Sequence, residues 1–307
     1  MKKRTAKDRS EKKRARIGSW NLHWFPDGAS RNPGRAGGTD VDWMACVVAW
    51  MDLQALAVQE VVQHLRGRRA LLDLLDRLDE FTGGSWEAKL DDCPDDGRQH
   101  VGLLFDTMRV KATALRTVGS LNPTGSRCGH RLRPGYAAYL RFNGGADLHL
   151  INLHLDSGVS ARDYHNRAAS WTRLKAVIQD QHPVGLDDDV VVLGDFNTMG
   201  CSKCAPRISA RDEIVALERI LARTPATMRR MKASRDCTAH YRGRGTTLDH
   251  VFVSSRMKEV PADAAAKVEG VCADSSCFRQ KSAAKAALSR LSDHCPIILE
   301  LVDQDLD

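Results

Sequence analysis

Val190-Val191-Val192-Leu193-Gly194-Asp195-Phe196-Asn197 places a carboxylate and a carboxamide two residues apart, just beyond a short apolar run. The run is β-branched and bounded by Asp187-Asp188-Asp189 before it and Gly194 after it, the pattern of a buried strand ending in a tight turn. Asp195 and Asn197 then stand at a strand's exit. Side chains two apart in extended chain share a face, and Gly194 lets the backbone approach whatever they touch. Asp and Asn also cap their own backbone in ordinary turns, so these residues alone fit a turn as well as a site.

Other segments repeat the form. Ile17-Gly18-Ser19-Trp20-Asn21 ends in Asn21, Ala55-Leu56-Ala57-Val58-Gln59-Glu60 in Glu60, and Ile151-Asn152-Leu153-His154 in His154. Leu248-Asp249-His250-Val251-Phe252-Val253 opens with Asp249, and Leu291-Ser292-Asp293-His294-Cys295-Pro296 leads into Ile297-Ile298-Leu299. Acids can hold a metal and an imidazole can move a proton. Sheets gather strand ends along one edge, where sites are usually built.

In this order, WNLHWF at Trp20, VQE at Gln59, NLHLDSG at Asn152, GDFNT at Gly194, LDHVFV at Leu248 and LSDHCPI at Leu291 resemble the endonuclease/exonuclease/phosphatase superfamily, the deoxyribonuclease I-like phosphoesterases. The resemblance implies an α/β (α+β) chain folded as a four-layer sandwich, two mainly antiparallel sheets flanked by helices. It also implies divalent-metal hydrolysis of a phosphate ester. Glu60 is then the principal metal ligand, Asn21 a carboxamide ligand beside it, and Asp293 an aid to holding the metal. Mg²⁺ or Mn²⁺ suits these hard oxygens, with Ca²⁺ as a structural ion. Asp195 and Asn197 position the nucleophile and phosphoryl oxygens, and Asp249 orients His294 for acid/base work. His154 matches the deoxyribonuclease and sphingomyelinase form of its motif, where an imidazole donates to phosphate, and this disfavours a repair-type apurinic endonuclease. His250 would point to the opposite face from Asp249. Arg133-Pro134 resembles the family's Arg and Pro before a core strand, although the family often has one residue between them, so Arg131 and Arg133 both stay open as phosphate contacts. Arg167, on the following helix, reads as exposed.

A chain of 307 residues with 42% hydrophobic content can bury one large core. Helices are expected over 40–51, 68–79, 161–180 and near 211–222, with strands near 17, over 54–59, between 86 and 154, before Gly194, and around 250 and 298. Trp43, Val47, Trp50 and Met51 read as one core face, and Leu71, Leu72, Leu75 and Leu78 as another. Residues 2–16 hold nine Lys or Arg against Asp8 and Glu11, a surplus of seven that accounts for the chain's whole +7. Residues 1–16 are therefore expected to be a disordered basic tail, and 17–307 one catalytic domain. Within the neutral remainder, Arg223, Arg229, Arg230, Lys232, Arg235, Arg242 and Arg244 are opposed only by Asp236. Arg229, Arg230 and Arg242 thus become candidate substrate contacts beside Arg133, and nucleic acid the expected substrate. A phospholipid or inositol-phosphate esterase on the same core, or a binding protein without catalysis, are the alternatives. The chain is expected to act as a monomer.

Nine cysteines suit an oxidising, secreted or periplasmic setting. Against this, no apolar h-region follows the basic start, and no segment is long enough to span a membrane. Two Cys pairs would permit a structural zinc. The resemblance implies instead a disulfide from Cys201 or Cys204 to Cys237, while Cys272 with Cys277 would close a small loop. Cys295 reads as a small buried residue.

Overall fold

A computed structural model of the chain describes residues 14–28, 38–94, 98–128, 132–181, 189–241, 244–274, 277 and 282–307. Two sheets carry the architecture. In the first, β10 (Lys232–Ala233), β14 (Ala265–Val268), β15 (Ile297–Val302), β1 (Arg14–Phe25), β2 (Ala55–Val62), β4 (Gln99–Asp106) and β3 (Trp86–Leu90) lie in that spatial order. In the second the order is β5 (Val110–Val118), β6 (Gly135–Phe142), β7 (Asp147–His154), β8 (Val190–Asp195), β13 (Asp249–Ser254) and β9 (Met228–Arg230). Pairings are antiparallel except β1 with β2, β7 with β8 and β10 with β14. A hairpin, β11 (Ala239–Tyr241) with β12 (Arg244–Thr246), belongs to neither sheet but bridges from Ala239 to His294, just before β15.

Strand alternation produces the layers. Ile17, Ala55, Ala57, Leu150, Val191, Leu193, Val251 and Leu299 point between the sheets and make one core. Their neighbours point outward. Trp20, Leu56 and Val58 pack under α1 (Val41–Trp50), α2 (Leu65–Thr82) and α6 (Ser282–Arg290). Val190, Val192 and Phe252 pack under α3 (Ala161–Gln181) and α4 (Ala210–Leu221). The result is helix, sheet, sheet, helix, as the motifs imply.

Several sequence expectations shift. Residues 1–13 and Arg131 lie outside the described residues, but Arg14–Arg16 do not belong to a tail. They open β1 opposite Val302, Leu301 and Glu300, with Arg16 Nε 2.9 Å from Glu300 Oε2. The expected helical faces hold for Met51 and Leu78, which are buried, and for Trp43, Val47, Leu71 and Leu75, which pack against the core, but each face loses one member. Trp50 is 67% exposed and Leu72 62%, while Met44, Ala45, Val48, Ala70 and Leu74 are buried. In α1 apolar residues surround the helix, so periodicity selects no face. α6 and the short α5 (Val271–Asp274) were not foreseen.

The disulfides differ from those expected. Cys201 pairs with Cys204, Cys237 with Cys277, Cys272 with Cys295, and Cys93 with Cys128, leaving Cys46 free. Cys237 therefore bonds neither Cys201 nor Cys204, Cys272 does not bond Cys277, and Cys295 is a bridging residue. With their thiols joined, these cysteines offer no thiolates to a zinc ion. The Cys237–Cys277 and Cys272–Cys295 links both converge on the segment that carries His294.

Candidate active site

The polar ends of the inter-sheet ladders meet at one edge. Asn21 continues the inward face of β1, His154 that of β7, Asp195 that of β8, and Asp249 that of β13. Asp195 pairs with His154 on one side and with Asp249 on the other. The strand thus runs two residues beyond its expected end at Leu193. Gly194 lies within it at φ +133°, and a Cβ there would stand 2.1 Å from Leu153 O. Glycine is needed at that position for contact with β7.

Glu60 reaches the cluster by a break in alternation. By parity it belongs with Leu56 and Val58 on the helix-covered face, but β2 changes register against β4 between Val58 and Val61, and Glu60 adopts φ +61°. The bulge turns its carboxylate into the site. His23, Trp24 and Asn197 are also left-handed, with φ of 49°, 57° and 49°. Such backbone in residues other than glycine, gathered at one place, is strain held by surrounding structure.

Asn21 Nδ2 donates to Glu60 Oε1 at 3.1 Å and to Asp195 Oδ2 at 3.0 Å, while Trp24 N donates to Glu60 Oε2 at 3.1 Å. Asn197 N donates to Asp195 Oδ1 at 2.9 Å, and its amide bridges Asp195 Oδ2 and Leu155 O. His154 Nε2 lies 3.6 Å from Glu60 Oε1 and 3.5 Å from Asp195 Oδ2. His294 Nδ1 is 2.9 Å from Asp249 Oδ2, and its Nε2 is 3.8 Å from Asp195 Oδ2. Asp293 sits outside this inner group, its Oδ1 3.3 Å from His23 Nδ1.

Burial sharpens the electrostatics. It pushes the Asp195 carboxyl up to about 7, with Asp249 adding repulsion and His294 and hydrogen bonds from Asn197 and Asn21 opposing. Burial also disfavours a charged His294, but Asp249, Asp195 and Asp293 outweigh it and hold the imidazolium well above the usual histidine range. His154 goes the other way. Burial, then Arg133 and His294, keep it well below its ordinary value and hence neutral.

Thr238 and the β11 hairpin set the acid/base pair. Leu248 N and Asp249 N both donate to Thr238 Oγ1 at 3.0 Å, Cys295 N donates to Thr238 O, and His240 N donates to Asp293 O. The basic stretch before Asp249 therefore serves the site through these residues. Arg230 pairs with Glu218 on α4, and Arg229 Nη2 donates to Val260 O and Pro261 O. Both lie on β9, opposite Phe252 and Val253, three and four residues along β13 from Asp249. They are not at the cluster, which corrects their expected role. Arg242 lies outside the described residues. Arg133 does reach the site, donating Nη2 to Leu155 O at 2.8 Å.

His250 turns outward as expected, its Nε2 2.8 Å from Thr198 Oγ1 and its ring against Phe196 and Phe252. Burial, with Arg230 nearby, lowers it to about 3. A histidine neutral when folded but titrating near 6.5 when unfolded stabilises fully above pH 6.5 and progressively less as pH falls towards 3. Urea unfolding should lose up to about 1.4 kcal/mol per pH unit from this group across that window, and His250→Gln should remove that share of the slope.

A cavity of about 610 Å³ opens beside the cluster, lined by Glu60, His154, Asp195, Asn197 and His294 on its floor. Trp24, Arg98, Arg133 and Arg162 line it too, as do Asp91, Asp156 and the Cys93–Cys128 bridge. Trp24 and Asp156 lie inside the quoted motifs, but their exposure on the wall is set by loop geometry. The Cys93–Cys128 wall carried no sequence signal beyond two unassigned cysteines.

The oxygens present fit a hard divalent cation. The Glu60 and Asp195 carboxylates face the cavity floor, joined by Asn21, which donates Nδ2 to both while its Oδ1 accepts from His23 N, and burial keeps the Asp195 carboxyl raised. Asp195, Asp249 and His294 also have ligand atoms within 4.8 Å of one another, but a proton on His294 makes that group the poorer cage.

The sequence profile of the Endonuclease/Exonuclease/phosphatase family matches residues 18–294. The chain belongs to this family. No curated protein matched the sequence. Among solved structures, a family member from Bacteroides thetaiotaomicron shares 16% identity, with 97% of this chain and all of that one covered at a TM-score of 0.60. A humanised D. rerio TDP2 gives 17% identity, 94% and 98% coverage and 0.59. A B. thetaiotaomicron mannosyl-6-phosphatase gives 16%, 94% and 99%, and 0.58. These likenesses establish a shared fold. As an Endonuclease/Exonuclease/phosphatase protein, the chain is a metal-dependent phosphoric ester hydrolase.

Proposed function

We propose that the protein is a nuclease, a divalent-metal-dependent phosphodiesterase acting on DNA or RNA. The carrying observation is that Trp24, Arg98, Arg133 and Arg162 line the cavity that also holds Glu60, His154 and His294. An indole for a base to stack on and guanidinium groups for the backbone suit single-stranded nucleic acid.

Glu60 would hold Mg²⁺ or Mn²⁺, with Asn21 once its carboxamide turns Oδ1 from His23 N towards Glu60, and with Asp293, 3.3 Å from His23, assisting. The chemistry a bound cation supplies is relief of charge on the phosphoryl oxygens. Neutral His154 donates its Nε2 proton to a nonbridging oxygen, with Arg133 behind it. Asn197 fixes the Asp195 carboxylate by its backbone N–H and amide. Water attacks phosphorus in line with the departing oxygen. Its proton passes to the Asp195 carboxylate, the member of the Asp195–His294 couple free to accept one, and the departing oxygen takes a proton from solvent water as the P–O bond breaks. Asp249 holds His294 Nδ1–H, leaving Nε2 to face the reaction.

The test is a substrate panel of plasmid DNA, single-stranded DNA and RNA with Mg²⁺ or Mn²⁺. Cleavage should vanish with EDTA and return on metal addition, and Trp24→Ala should weaken single strands more than the chromogenic diester bis(4-nitrophenyl) phosphate. Intact nucleic acid beside hydrolysed sphingomyelin or phosphoinositide would overturn the nuclease reading and leave the phosphoesterase standing.

A further inference from the structure

Three carboxylates gather at the end of the sandwich opposite the catalytic cluster. Asp189 precedes β8, whose far end carries Asp195, Glu259 follows β13, and Asp307 lies beyond β15. One oxygen from each lies within 4.8 Å of the others. Two oxygens on one Ca²⁺, each about 2.3–2.6 Å from it, stand at most about 5 Å apart, so this spacing admits a shared ion.

Proximity of acids alone would mean little. The second observation is Glu259 itself, which is 0% exposed. Its Oε1 accepts Leu306 N at 2.7 Å, whereas its buried Oε2 has no hydrogen-bond partner among the described residues. A buried carboxylate oxygen left this way is costly, and a cation relieves it. Asp189 is only 4% exposed. Lys258 stands at the edge, with Nζ 3.9 Å from Asp307 Oδ1 and donating to Leu306 O, but its side chain is 59% exposed. Its charge is largely hydrated.

We propose that Asp189, Glu259 and Asp307 bind a Ca²⁺ ion that clamps the two sheets together at the end remote from catalysis. Asp189 leads into β8 of the six-stranded sheet, Glu259 lies on the crossover from β13 of that sheet to β14 of the other, and Asp307 follows β15 of the seven-stranded one. The donor set is all carboxylate, which excludes the nitrogen and sulfur cages preferred by zinc and copper. Three carboxylates from a strand start, a loop and a terminal segment suit the irregular shell of Ca²⁺ better than the octahedron of Mg²⁺, which usually takes one or two.

Calcium titration of the full chain by calorimetry, in excess Mg²⁺ so that the catalytic edge is already supplied, should reveal one Ca²⁺ per chain. The unfolding temperature should rise by roughly 5 °C at a free Ca²⁺ concentration about a hundred times the dissociation constant. Glu259→Gln and Asp307→Asn should each abolish both signals, while Asp307→Asn leaves phosphodiester hydrolysis in Mg²⁺ unchanged. Should Glu259→Gln not fold, Asp307→Asn decides, because that side chain is exposed. Wild-type protein indifferent to Ca²⁺, or Asp307→Asn retaining the bound ion and the full shift, overturns the proposal.

Discussion

Replacing His294 with alanine lowers kcat for phosphodiester hydrolysis by about 10³-fold or more, within the range set by positioned proton transfer, with KM changed little. His294 Nδ1 lies 2.9 Å from Asp249 and its Nε2 3.8 Å from Asp195, so under the proposed mechanism its loss removes the imidazole of the acid/base pair. The same geometry predicts strong non-additivity. Asp249→Ala should cost nearly as much alone, and the double variant hardly more than His294→Ala, because Asp249 acts through the imidazole. Initial rates on bis(4-nitrophenyl) phosphate, with circular dichroism to verify folding, make the measurement. Independent, multiplying losses would mean that the two residues serve separate steps.

The second large effect concerns stability. Arg167, read from sequence as an exposed helical residue, is 0% exposed and paired fork to fork with the equally buried Glu213, through Nε to Oε1 at 2.6 Å and Nη2 to Oε2 at 3.1 Å. Its remaining hydrogens go to Asp156 O, Gly158 O and Gly200 O. One guanidinium therefore ties the loop after His154 to the loop after Asn197, and both loops flank the cavity. Arg167→Met strands the Glu213 charge in the interior and should cost about 3–5 kcal/mol in urea unfolding. Adding Glu213→Leu should recover much of that loss, since the stranded charge goes with it. A single-variant loss below about 1 kcal/mol would mean that water reaches Glu213.

The difference between Arg167 and the motif residues marks what sequence could carry. Asn21, His154, Asp195 and Asp249 were legible because each continues the inward parity of an apolar strand, so period-two alternation points all four towards one edge. Glu60 was legible only through its motif, since alternation alone sends it to the wrong face and a bulge brings it back. Arg229 and Arg230 failed for the converse reason. Composition reports that a stretch is basic, but only the register of β9 on β13, and the nearness of Glu218, Val260 and Pro261, fixes where those guanidiniums go. Disulfide connectivity failed likewise, because it depends on how loops far apart in sequence are brought together. Thr238, whose hydroxyl and carbonyl join the Asp249 and His294 segments, has an unremarkable sequence context and a role visible only in three dimensions.

The sheet edge around Glu60 and His294 is the proposed metal-dependent phosphodiesterase centre. Its most direct test is hydrolysis of bis(4-nitrophenyl) phosphate during Mg²⁺ titration of EDTA-stripped protein, comparing wild type with Glu60→Gln. The wild type should show saturable activation from a negligible baseline, with the variant needing far more Mg²⁺ and staying well below the wild-type maximum. Hydrolysis independent of Mg²⁺, or identical titration curves for the two proteins, would contradict it.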